Sequence, residues 1–163
     1  MDVDGVLTDG KLLFVPMPDG SVVEAKAFDS QDGSAIGLAR RAGIKIGIIS
    51  GRGSPAVTRR AEDLKLDFCY QGLGRKKIDA FDEVVAKVAL PVENICYAGD
   101  DLQDIPILRR VGFPVAVANA CAEAKSVAAY VTRNSGGNGA IRELVELILR
   151  AQGKWESAIR EFI

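Results

Sequence analysis

The chain opens on residues that can do chemistry: Asp2-Val3-Asp4-Gly5-Val6-Leu7-Thr8-Asp9-Gly10. On an extended segment side chains repeat every second residue, so the Asp2 and Asp4 carboxylates point the same way. Like charges that close are costly unless a cation lies between them. For an oxygen-only donor set, Mg²⁺ is the natural cation. Gly5 lets the backbone approach an anion closely. Three further blocks carry polar groups. Ser50-Gly51-Arg52 closes an apolar run; its hydroxyl and the following helix N-terminus suit a phosphate, as they would suit an ordinary cap. Lys76 and Lys77 open a predicted helix, where a cation opposes the helix dipole, and one of them reaching an anion explains the placement. Gly99-Asp100-Asp101-Leu102-Gln103-Asp104 concentrates three acids. One would cap a helix; three supply metal ligands and the groups that orient them.

These blocks need elements to hold them. Lys11 to Val15 reads as a strand, Pro18-Asp19-Gly20 as a turn and Ser21 to Phe28 as the returning strand of a hairpin. Strands are then predicted at Ile44 to Ile49, Phe68 to Tyr70, Ile95 to Ala98, Val115 to Val117 and around Tyr130 to Thr132. Helices are predicted at Asp32 to Ala42, Pro55 to Leu64, Lys77 to Val88, Gln103 to Val111, Ala122 to Ala129 and Gly139 to Ala151, with a last turn or two over Trp155 to Phe162. Strands alternating with helices imply an α/β fold, a doubly wound parallel sheet covered on both faces. Right-handed crossovers bring the C-terminal strand ends to one edge, where ligands bind. Asp2 with Asp4, Ser50, and Asp100 with Asp101 all fall at such ends. A strand needs about five residues, yet only Met1 precedes Asp2, so the first strand is expected to be truncated or absent.

Composition narrows the chemistry. The 163 residues predict a single domain. No histidine is present, which removes Ser-His-Asp and Cys-His catalysis and every His-ligated metal. A net charge of −1 gives no bulk attraction to nucleic acid or to an acidic membrane. Cys69, Cys96 and Cys121 are scattered, which argues against a disulfide framework or zinc site and suits a reducing cytoplasm. No apolar run is long enough to span a bilayer.

Taken in order, the four blocks resemble the DxD, Ser/Thr, Lys and GDxxxD motifs of the haloacid dehalogenase (HAD) superfamily. DVDGVLTDG, KAFDSQDG (26–33), IISGR (48–52), RRAEDL (59–64), YQG (70–72), YAGDDLQDIPIL (97–108) and GGNGAIREL (136–144) are similar to its capless 3-deoxy-D-manno-octulosonate 8-phosphate (KDO 8-phosphate) phosphatases, over nearly the whole chain. The resemblance implies a single HAD-like hydrolase domain over 1–163, with a hairpin at about 11–28 in place of a cap domain and a C-terminal tail at about 136–163. It implies that Asp2 is the nucleophile and Asp4 the general acid and base. Mg²⁺ would be held by Asp2, the Asp4 carbonyl and Asp100, with Asp101 and Asp104 behind them. Ser50, Gly51 and one lysine would bind phosphate. Spacing from Phe81 selects Lys77 and spacing from Gly72 selects Lys76; the helix register favours Lys77. Arg52, Arg60 and Arg142 would contact a small phosphorylated sugar acid, Arg142 from a tail that can reach a neighbouring subunit. A cytoplasmic homotetramer serving bacterial cell-surface polysaccharide synthesis follows by the same resemblance. A nonulosonate 9-phosphate phosphatase is the closest alternative. A receiver-like phospho-switch and a catalytically weak binding subunit are the non-enzyme alternatives. Asn119-Ala120-Cys121-Ala122 departs from the His-Pro that the family often carries there.

Overall fold

The computed structural model describes residues 1–163, the side chain of Glu161 excepted. The chain leaves Asp2 through a tight loop in which the Val3 carbonyl accepts from the N–H groups of Val6, Leu7 and Thr8. It then forms an antiparallel hairpin, β1 (Leu13–Pro16) and β2 (Val22–Ala25). Two-sided exposure marks this hairpin: Leu13, Phe14, Val22 and Val23 all lie open to solvent.

Helix α1 (Ser30–Arg41) follows, capped by Asp29, whose carboxylate accepts from the N–H groups of Gln31 and Asp32. Then come β3 (Gly47–Ile49), α2 (Pro55–Asp63), β4 (Phe68–Tyr70) and α3 (Lys77–Val88). Helix α3 stops where Ala89 takes a left-handed conformation. The second half runs β5 (Cys96–Gly99), α4 (Ile105–Leu108), β6 (Phe113–Ala116), α5 (Ala122–Val127), β7 (Tyr130–Val131), α6 (Ala140–Ala151) and α7 (Trp155–Ile159). Helix α6 buries Ile141, Leu144, Val145 and Leu149, one stripe at helical spacing, and packs along α1.

Regular pairing occurs in two parallel pieces, β3–β4 and β5–β6–β7, where the sequence predicted one sheet. Met1 and Asp2 link them. Ile49 N–H donates to the Met1 carbonyl (3.0 Å), and Asp2 N–H donates to the Ala98 carbonyl (2.9 Å). The spatial order is therefore β4-β3-(Met1-Asp2)-β5-β6-β7. Regular ladder pairing is interrupted at this link. Below Met1, an apolar cavity of about 490 Å³ is lined by Ile46, Ile48, Phe81, Cys96 and Ile141.

Other predicted elements are shorter too: the returning hairpin strand expected over Ser21 to Phe28 pairs only over Val22–Ala25, and the helix expected over Ala122 to Ala129 ends at Val127. The Ile44 to Ile49 strand pairs regularly only from Gly47, because Asp67 Oδ2 accepts the Ile46 N–H (2.8 Å) in place of a strand carbonyl. The Gln103 to Val111 helix divides into a 3₁₀ turn, Leu102–Asp104, and the single turn of α4. Asp101 and Asp104 form a reciprocal capping box at its start, which fixes the chain in the tighter turn. No helix among the described residues is long and apolar enough to cross a membrane.

Candidate active site

The C-terminal ends of the parallel strands bring the acids together. Asp2 is the second residue of the sheet's two-residue link, Ser50 follows β3, and Asp100 follows β5. Asp2 and Ser50 are buried, at 5% and 2% exposure. Carboxylate oxygens of Asp2, Asp100 and Asp104 lie within 4.8 Å of one another.

Lys77, not Lys76, enters this cluster. Its Nζ sits 2.7 Å from Asp2 Oδ2 and donates to Asp104 Oδ1 at 3.0 Å. Lys76 is exposed at the helix N-cap. Burial works against the Lys77 charge, but Asp2 and Asp104 outweigh it and raise the ammonium pKa. The cation that opposes the helix dipole is thus explained by two carboxylates.

Asp104 is an orienting group. Its Oδ1 accepts from Lys77 Nζ and from the Tyr97 hydroxyl (2.8 Å). Its Oδ2 accepts from the N–H groups of Asp100 (3.0 Å) and Asp101 (3.3 Å). Four donors leave it little capacity for a cation. Asp100 is the opposite case: its Oδ1 is buried with no hydrogen-bond partner. Burial, then Asp2 and Asp104, push the Asp100 carboxyl up to about 8. Burial and Asp104 push Asp2 up to about 6, against the pull of Lys77. A buried orphan carboxylate oxygen beside a second carboxylate fits a hard divalent cation. Asp2 and Asp100 are therefore the side chains that would hold it, with Asp104 fixing the Asp100 backbone behind them.

Gly5 is required at this spot. Its φ is +89°, and a Cβ there would run into the Asp100 carboxylate. Asn119 ties the loop down: its Nδ2 donates to the Gly5 carbonyl (2.9 Å), and its Oδ1 accepts from Gly136 N–H (2.6 Å). The stretch 136–139 thereby joins the loop that carries Asp2 and Asp4.

A second charged group stands at the mouth. Asp4 Oδ1 accepts from Lys26 Nζ, and Arg52 Nε lies 3.7 Å from Asp4 Oδ2. Arg52 also pairs with Glu24. Ser50 Oγ accepts from Arg52 N–H (3.3 Å), and the Gly51 carbonyl accepts from Gly74 N–H (2.9 Å). The loop before α3 therefore covers the phosphate-type turn. Arg60 and Arg142 make other contacts. Arg60 lies over the Phe28 ring and donates to the Asp29 carbonyl (3.2 Å). Arg142 lies over Trp155 and 3.7 Å from Glu146. Neither contact set includes a member of the Asp2 cluster.

Sequence reasoning missed Tyr97, Lys26, Glu24 and the holding role of Asn119. Glu24 and Lys26 stand two apart beside an extended strand, a same-face spacing that carries a signal. Tyr97 reads only as a strand apolar residue.

The raised carboxyls have a consequence for pH. Their native values lie above the ordinary carboxylate range, so the native state holds protons there that the unfolded chain has released. Metal-free stability therefore falls as pH rises from about 4 to about 8. A cation bound to the ionised carboxylates removes that cost. The rise in melting temperature on adding Mg²⁺ is expected to be larger at about pH 9 than at about pH 6. Thermal melts with and without Mg²⁺ check this, and a shift independent of pH would contradict it.

A carboxylate pair, a buried lysine and a Ser-Gly-Arg turn at the strand ends of a doubly wound sheet define a hydrolase of the haloacid dehalogenase type, and a family model described as haloacid dehalogenase-like hydrolase matches residues 72–144. Over 158 residues the chain is 43% identical to 3-deoxy-D-manno-octulosonate 8-phosphate phosphatase KdsC of Escherichia coli (strain K12), with 97% of this chain and 81% of that protein covered. The crystal structure of 3-deoxy-D-manno-octulosonate 8-phosphate phosphatase from Moraxella catarrhalis, in complex with magnesium ion, phosphate ion and KDO, matches with a TM-score of 0.92 at 38% identity, covering 100% of this chain and 91% of that one. A probable YrbI family phosphatase from Pseudomonas syringae pv. phaseolica matches with a TM-score of 0.91 at 45% identity, covering 99% and 89%. The chain belongs to the 3-deoxy-D-manno-octulosonate 8-phosphate phosphatase family of haloacid dehalogenase-like hydrolases.

Proposed function

We propose that this chain, as one catalytic domain, hydrolyses KDO 8-phosphate to KDO and phosphate through an aspartyl phosphate on Asp2. The observation that carries the reading is Asp2 itself, buried, 2.7 Å from Lys77 and beside the unpartnered Asp100 oxygen. Its kinship to phosphatases named for KDO 8-phosphate supports the substrate.

Asp2 attacks phosphorus while the bond from phosphorus to the sugar oxygen breaks. Asp4 gives its proton to that departing oxygen. Water then attacks phosphorus, Asp4 takes the water's proton, and Asp2 regains its carboxylate as phosphate leaves. Lys77, the Ser50 hydroxyl and the backbone after it face the phosphoryl oxygens, with Lys77 held ready by Asp104. Asp2, Asp100 and the Asp4 carbonyl would hold Mg²⁺, which would supply positive charge against the negative transferring group. Arg52, half-exposed at the mouth, suits the sugar-acid carboxylate, because a guanidinium pairs with it bidentately.

The hairpin leaves the apolar side chains of Leu13, Phe14, Val22 and Val23 exposed, a pattern that suits an interaction surface. We assign them to contacts between copies, in a cytoplasmic homotetramer whose sites lie near subunit boundaries. Arg60 and Arg142 belong to the substrate pocket only if such an assembly releases them from Phe28 and Trp155.

The test is phosphate release, with and without Mg²⁺, from KDO 8-phosphate, a nine-carbon sugar-acid 9-phosphate and simple hexose phosphates. The expected result is Mg²⁺-dependent release with the highest kcat/KM on KDO 8-phosphate. Preference for the nine-carbon acid would keep the chemistry and change the substrate. No release from any of them would overturn the reading.

A further inference from the structure

The hairpin delivers one ammonium group to the chemistry. Lys26 lies just past β2, and its side chain is 2% exposed. Its Nζ donates to Asp4 Oδ1 and stands 2.9 Å from Glu24 Oε1. Glu24 in turn pairs with Arg52 through its other oxygen. Arg52 Nε lies 3.7 Å from the other Asp4 oxygen, Oδ2. A buried ammonium is costly unless it is paired. Here the pairing goes to the one carboxylate that must be aimed at a leaving group, and that carboxylate sits on a loop with no strand ladder to hold it.

We propose that Lys26 is a positioning residue for Asp4, fixing the rotamer from which Asp4 protonates the leaving sugar oxygen, with Glu24 holding Lys26 in place. The inference rests on the aspartyl-phosphate reading above. Lys26 occupies Oδ1, which leaves Oδ2 to carry the proton. In the step itself the electron pair of the breaking P–O bond goes to the sugar oxygen, which takes that proton as the Asp2–phosphorus bond forms. Glu24 and Lys26 project from the same side of one chain segment, so the hairpin sets both at once. Asp4 is in this way oriented by a segment otherwise outside the Asp2 cluster.

A simple anchor for the hairpin would have the same burial and the same pairs. The two roles differ in what the leaving group requires. A departing sugar alkoxide needs the proton from Asp4; a departing p-nitrophenolate is stable without it. The ratio kcat/KM covers only the steps up to departure, so it isolates this difference. Lys26→Met is expected to lower kcat/KM on KDO 8-phosphate on the order of 10²-fold. On p-nitrophenyl phosphate the same variant is expected to stay within about threefold of the unsubstituted protein, since general-acid help is not drawn upon there. The double variant Lys26→Met, Glu24→Gln removes the stranded Glu24 charge and is expected to show the same split.

Retained hydrolysis of p-nitrophenyl phosphate is the check that the site has folded. Equal losses on the two esters, misfolding included, overturn the proposal, as does no loss on either. If the unsubstituted protein prefers a different sugar phosphate, the KDO reading fails, and the same ratio taken on that sugar phosphate still decides the role of Lys26. No hydrolysis of any ester by the unsubstituted protein overturns both.

Discussion

Asp2→Asn is expected to abolish turnover, by roughly 10⁴-fold or more, the scale of losing the nucleophile of a covalent mechanism. The amide cannot attack phosphorus, and it is a poorer ligand for a hard cation. The fold is expected to persist, because the Asp2 backbone link to Ala98 does not involve its side chain. Burial and the neighbouring Asp104 disfavour the Asp2 charge in the metal-free protein, so its loss relieves one strain while removing one partner of Lys77. Melting temperature without metal is therefore expected to change little, while the gain on adding Mg²⁺ shrinks. Steady-state phosphate release and thermal melts check the two halves. Activity within tenfold of the unsubstituted protein would contradict the assignment.

Lys77→Met is the second large effect, and it falls on stability as well as rate. The Lys77 side chain is 4% exposed and is shared by Asp2 and Asp104, whose side chains are 8% and 0% exposed. Removing one member of a buried charged set leaves the others uncompensated, at a cost of about 3–5 kcal/mol. Asp104 cannot turn to solvent, because Tyr97 and two backbone N–H groups hold it. The loss is expected to be smaller at low pH, where the raised Asp2 and Asp100 carboxyls are protonated and less charge is stranded. Turnover is expected to fall together with stability, since the same ammonium faces the phosphoryl group. Urea unfolding at two pH values measures the effect. A change under about 1 kcal/mol, or the same loss at both pH values, would contradict the buried network.

The parts of the site that were legible in the sequence are those written locally at strand ends. Asp2 shows as an acid at a strand end, Ser50 as the close of an apolar run, and Asp100 with Asp104 as an excess of acids over what a cap needs; Asp4, expected on the same side as Asp2, instead stands with Lys26 and Arg52, because the chain turns from Val3 onward. The helix register that favoured Lys77 agrees with the lysine buried in the cluster. What stayed hidden depends on distant chain segments. Tyr97 acquires a polar role only because Asp104 folds back beneath it. Lys26 matters because the hairpin returns to Asp4, 22 residues earlier. Arg60 and Arg142 show the converse. The family resemblance names the residue but not which neighbour its long side chain will meet, and Phe28 and Trp155 meet them first.

The fold divides along the same line. Phe68–Tyr70 and Lys77–Val88 were legible to the residue, because apolar period and turn residues bound them. Strand β3 was overestimated, since a run of alternating isoleucines says nothing of whether a neighbour is present to pair with each one. The helix after Asp104 was overestimated because the capping box holds the chain in a 3₁₀ turn before α4 begins.

The central claim is a covalent phosphoryl group on Asp2. Rapid acid quench during turnover, followed by mass spectrometry of the peptides, tests it directly. The account predicts a Mg²⁺-dependent mass increase of one phosphoryl group on the peptide that contains Asp2, absent from Asp2→Asn. Phosphate release at full rate with no phosphorylated peptide at any quench time, or with the group on a peptide elsewhere, would contradict it.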